Sequence, residues 1–74
     1  MFEEIIVPEN VKIIQSSAFS ECEKLSRIEF AKGSQLSEIQ SNAFNGCNNL
    51  KTVLVPENTK TIASNAFPQH VNII

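Results

Sequence analysis

The chain has 74 residues, of which 42% are hydrophobic and 19% charged, with a formal net charge of −2. That length allows one small domain with a modest core, and the apolar content argues against a disordered chain. The basic residues are scattered, at Lys12, Lys24, Arg27, Lys32, Lys51 and Lys60, so neither nucleic acid nor an anionic membrane is expected as a partner.

From the amino terminus, Met1 to Val7 carries Glu3 and Glu4 and lacks the basic start and long apolar run of a signal peptide. Ile5-Ile6-Val7 and Thr52 to Val55 are far too short to span a bilayer, so no membrane insertion is expected. Residues around Ile5 and Val7 read as a first strand, ended by Pro8, which has no amide hydrogen for a ladder. Val11 to Ile14 alternates and predicts a short extended segment. Ser16-Ser17-Ala18-Phe19 then reads as an N-cap and one helical turn, with Phe19 and Cys22 on one face.

The same frame returns twice. Val-Pro-Glu-Asn stands at Val7 to Asn10 and at Val55 to Asn58, and Ala-Phe stands at Ala18-Phe19, Ala43-Phe44 and Ala66-Phe67. Around these pairs apolar residues fall into columns: Val11, Leu36 and Thr59; Ile14, Ile39 and Ile62; Cys22, Cys47 and His70; Leu25, Leu50 and Ile73. Arg27 to Phe30 and Thr52 to Val55 are β-branched or aromatic at alternate positions and predict strands. Leu36 to Ile39 and Thr59 to Ile62 repeat the second extended segment, while Ser41 and Ser64 repeat the cap. The one irregular loop is Lys32 to Gln35, two residues longer than its counterparts, and a loop is where a stacked repeat absorbs an insertion. Residues 1–74 therefore read as a single α/β-type repeat protein, a short solenoid of about three rungs with parallel strands and single helical turns between them. The repeats run over roughly 2–25, 26–50 and 51–74.

The recurrent Ala18-Phe19-x-x-Cys22-x-x-Leu25-x-x-Ile28-x-Phe30, renewed at Ala43-Phe44-x-x-Cys47-x-x-Leu50-x-x-Val53-x-Val55-Pro56, resembles the BspA-like, or Treponema-type, leucine-rich repeats. The resemblance covers essentially the whole chain. It implies a curved leucine-rich-repeat solenoid with a parallel β-sheet on its concave face, and a protein that is not an enzyme. Relatives are often surface proteins in adhesion or host contact, which implies a cell-surface location for full-length members. The third repeat departs from the pattern, with Pro68 after Phe67 and His70 where Cys is expected.

Few residues suggest chemistry. Cys22 and Cys47 share a column one rung apart, close enough for a disulfide but with parallel side chains, and read as buried thiols. Adding His70 does not give the compact tetrahedron that zinc requires. No nucleophile with a base and no glycine-rich phosphate loop is apparent. No cofactor and no metal is expected, and no residue reads as catalytic. What remains is the outward face of the strands, with Glu4, Arg27 and Thr52 in one column and Ile6, Glu29 and Leu54 in the other. Glu4 beside Arg27 predicts a cross-strand ion pair, and Ile6 and Leu54 are apolar where water is expected. The expected function is a non-catalytic protein–protein interaction module using this face. The alternative is a few rungs of a longer solenoid without binding activity of their own; a metal-binding or enzymatic protein is a distant third. Neither end carries a polar capping repeat, so self-association through open solenoid ends is a further expectation.

Overall fold

A computed structural model describes residues 3–74. Its elements are seven short strands, β1 (Glu4–Val7), β2 (Ile13–Ile14), β3 (Arg27–Phe30), β4 (Glu38–Ile39), β5 (Thr52–Val53), β6 (Thr61–Ile62) and β7 (Asn72–Ile73). Every pairing is parallel, as strands separated by a full rung must be. β2, β4 and β6 form one three-stranded sheet, with Ile14 over Ile39 over Ile62. The core they enclose runs as stacked apolar columns. Leu25, Leu36, Ile39, Ala43, Phe44, Cys47, Leu50, Val53 and Ala66 are wholly removed from solvent, and no charged or polar residue is buried among the described residues. Among those residues no helix is long and apolar enough to cross a membrane.

The expected single helical turns are absent. Ser17, Asn42 and Glu21 lie in the left-handed region with φ of 60°, 59° and 63°, and Gly46 lies there at 85°, which interrupts any right-handed helix. The peptide groups of these turns point along the stack instead. The Ser17, Phe19 and Glu21 N–H groups donate to the Ser41, Ala43 and Asn45 carbonyls, and the Phe44 N–H donates to the Ala66 carbonyl. Ser16 is correspondingly not an N-cap; its own N–H donates to Gln40 Oε1 across the rung. The turns thus make a third ladder. Inside it Phe19, Phe44 and Phe67 stack, with ring centroids 5.2 and 4.8 Å apart and planes within 11°, so the spacing of neighbouring rungs doubles as the spacing of stacked rings.

The expected continuous concave sheet is also corrected: β1–β3 and β5–β7 are two separate two-stranded sheets. The longer loop after β3 bonds only backward, through the Ala31 N–H to the Val7 carbonyl and the Gln35 N–H to the Glu9 carbonyl. One rung later Pro56 stands in the place of Ala31 and has no N–H to offer Phe30. Pro56 thus withholds one bond at the end of β5, and β3 and β5 do not pair along their length either, whereas the opposite side runs through.

The last rung is shortened. Ile73 pairs with Val53 rather than joining Leu25 and Leu50, so twenty residues separate these partners where twenty-three separate Ile5 from Ile28. Its turn is closed by the Val71 N–H on the Pro68 carbonyl, the counterpart of the Leu25 bond to Cys22 and the Leu50 bond to Cys47. Pro68 directly after Phe67 has replaced the longer path through Asn45 and Gly46.

Candidate functional site

The outward side chains of β1 and β3 are set by the pleat, which alternates Glu4 and Ile6 outward with Ile5 and Val7 inward. Register places Glu4 beside Arg27 and Ile6 beside Glu29. Arg27 Nε lies 3.5 Å from Glu4 Oε2, and Arg27 Nη2 also bonds Glu29 Oε1. One guanidinium thus joins two carboxylates, all of them substantially exposed, so the triad organises the surface more than it stabilises the fold. Beside it Ile6 is 62% exposed and Leu54 69%.

Thr52 opens β5, and Leu54 follows just beyond that strand. Because β3 and β5 do not pair, the four residues on β1 and β3 are held by one ladder, while Thr52 and Leu54 stand across a break. The break is a cleft of about 390 Å³ between Arg27, Glu29 and Phe30 on one wall and Thr52 and Leu54 on the other. A second hollow, of about 300 Å³, continues from Phe30 and Leu54 toward Gly33 and Pro56. Phe30, half-buried and common to both, was not among the residues expected to face outward; the signal that finds it is Pro56 in the place of Ala31.

The cysteine column is inert in its geometry. Both thiols are free; Cys22 is half-buried and Cys47 buried. Cys47 Sγ donates to the Phe19 carbonyl at 3.2 Å. Burial pushes its thiol up from the ordinary value, reinforced by the Cys22 sulfur and the Glu21 carboxylate and opposed by a hydrogen bond from the Cys22 backbone, so the thiolate needed for reactivity is disfavoured. His70 is exposed, with Nε2 2.9 Å from the Leu50 carbonyl. Among the described residues no three of His, Cys, Asp or Glu come together as a metal site.

Short parallel strands repeated at a near-constant spacing, a column of stacked Phe and a face of mixed exposed side chains define a repeat protein of the leucine-rich kind. The family described as BspA type leucine rich repeat region (6 copies) matches residues 1–74, and the chain belongs to it. Searches of curated proteins and of solved structures found no match. The family is one of repeat and interaction modules and is generally not enzymatic.

Proposed function

We propose that the chain is a non-catalytic protein-interaction module and that Glu4, Ile6, Arg27, Glu29, Thr52 and Leu54 make its contact face. The observation that carries this reading is the pair of exposed aliphatics, Ile6 and Leu54, flanking the Glu4–Arg27–Glu29 cluster beside an open cleft. Apolar side chains surrounded by oriented charges suit a polypeptide partner, whose apolar groups fill the hollow while its polar groups are matched at the rim. The two free walls of the split sheet add shape to that face, and its single guanidinium is shared by two carboxylates, which leaves one negative charge in excess and favours a partner that brings a basic group to the rim. Adhesion at a cell surface is the setting that fits such a module.

The test is comparative capture from a defined mixture of extracellular or surface proteins, using the wild-type chain and the Ile6→Lys/Leu54→Lys variant side by side. Both positions are exposed, so the variant keeps its fold, checked by its thermal melt. A partner held by the wild type and lost by the variant supports the face; equal retention by both removes it.

A further inference from the structure

The turns that carry the Phe column are not equally well tied. In the first rung the turn from Phe19 to Cys22 is closed by the Cys22 N–H on the Phe19 carbonyl, and the Glu21 N–H within it donates to the Asn45 carbonyl at 2.7 Å. The turn from Phe44 to Cys47 is closed in the same way, by the Cys47 N–H on the Phe44 carbonyl. Its corresponding N–H, that of Gly46, donates to nothing among the described residues. The shortened third rung, whose Pro68 carbonyl takes the Val71 N–H, sets no acceptor against it.

The residue before this free N–H is Asn45, which is exposed. Asn45 is the one asparagine of the chain that precedes a glycine; every other asparagine precedes a residue with a side chain. A side-chain amide and an unbonded, uncrowded main-chain nitrogen are thus neighbours in a surface turn.

We propose that Asn45–Gly46 is a site of covalent self-modification, at which Asn45 loses its amide and the main chain is rerouted through an isoaspartyl link. The Gly46 nitrogen gives its proton to hydroxide and attacks Asn45 Cγ; the new N–C bond closes a five-membered succinimide and the amide nitrogen leaves as ammonia. Water then adds to one of the two ring carbonyls and breaks that carbon's bond to the Gly46 nitrogen. Opening at the main-chain carbonyl leaves isoaspartate, with Gly46 carried on Cγ, and opening at Cγ leaves aspartate. Water is the only co-reactant, and nothing is oxidised or reduced. For the ring to close, the peptide between Asn45 and Gly46 must turn. That breaks the bond the Asn45 carbonyl accepts from Glu21, whereas the Gly46 N–H has none to lose, and Gly46 has no Cβ to obstruct the ring.

The position of the turn gives the reaction its consequence. Phe44 and Cys47 on either side are wholly buried, and Phe44 is stacked between Phe19 and Phe67. An isoaspartyl link inserts one more carbon into the main chain between them and adds a carboxylate outside. The modified turn no longer matches the length that its closing bond and the ring column require, so the modified chain is less stable.

Incubation of the full chain in warm, mildly alkaline buffer tests this, read by released ammonia and by tandem mass spectrometry of its peptides. Native wild type is expected to convert at residue 45 before any other asparagine, with isoaspartate exceeding aspartate. Asn45→Gln keeps the fold, the position being exposed, and is expected to lose the early ammonia release because its ring would be six-membered. The isolated isoaspartyl chain should melt below both wild type and Asn45→Asp, which carries the new charge without the extra carbon. A native chain that stays intact while the same chain in urea converts at residue 45 overturns the proposal, because the turn then protects the bond. First conversion at another asparagine overturns it as well. An isoaspartyl chain that melts together with Asn45→Asp refutes the structural consequence.

Discussion

The Glu21 carboxylate lies across Gly46, its Oε2 2.5 Å from the point where a Cβ on Gly46 would stand. The two residues hold the same place in consecutive turns and both are left-handed, Glu21 at φ 63° and Gly46 at 85°. Glycine adopts that conformation freely, whereas a side chain costs about 1–2 kcal/mol there.

Glu21→Gly is accordingly expected to stabilise the protein by about 0.5–1 kcal/mol, the relief of the left-handed side chain less the entropy glycine adds to the unfolded chain. Gly46→Ala is expected to cost about 2 kcal/mol, since it adds both the conformational penalty and a collision with Glu21. Urea unfolding of the two single variants and the double variant checks this. The double variant should recover part of the Gly46→Ala loss, because the colliding carboxylate is gone; strict additivity would refute the contact.

Thr59 occupies the column of Val11 and Leu36, and its Oγ1 is buried without a hydrogen-bond partner. A methyl group of the same shape removes the unmet hydroxyl and adds apolar burial. Thr59→Val should raise stability by about 1 kcal/mol, read as a higher urea midpoint at unchanged slope. A lower midpoint would mean that the hydroxyl is satisfied in solution.

The stacked rings rank two otherwise identical substitutions. Phe44 is wholly buried between Phe19 and Phe67, so Phe44→Ala should cost about 3–5 kcal/mol, enough to unfold most chains of this size. Phe19, half-buried at the end of the column, should cost clearly less. Circular dichroism melts that order the two variants the other way would contradict the column.

Stability should also fall in alkali. Burial raises the Cys47 thiol above its ordinary value, so between its unfolded and folded pKa the native state binds more protons than the unfolded chain. The contribution is therefore fully present below the unfolded thiol pKa of about 8.5 and is lost as pH rises through the folded value. Wild type should lose melting temperature in that window faster than Cys47→Val, whose side chain does not titrate. Parallel curves would show that the buried thiol does not contribute.

Ile14, Ile39 and Ile62 stack in the three-stranded sheet where their spacing placed them, because apolar columns are a property of the one-dimensional pattern. The turns were less legible. Phe19 and Cys22 stand three apart, which suits a helical turn, but the same spacing suits a tight turn whose peptides bond to neighbouring rungs. Only the left-handed Ser17 and Glu21 decide between them, and neither residue type announces that conformation as glycine does. Ile73 was misplaced for a different reason: Pro68 marks a shortened path, and a single irregular copy does not reveal how many residues it omits. On the candidate face the Glu4–Arg27 pair followed from register alone. The cleft did not, since it depends on β3 and β5 failing to pair, and the pattern of either strand by itself reads as a normal rung.

The unpaired edges of β3 and β5 leave the rungs tied unevenly. On the side of β4 and β6 the rungs are tied by a continuous ladder, while between β3 and β5 no backbone bond crosses. A bend that widened the cleft about the tied side would rupture no backbone hydrogen bond between β3 and β5, because none is there to break. A proline in the place of one alanine is part of what leaves that side untied.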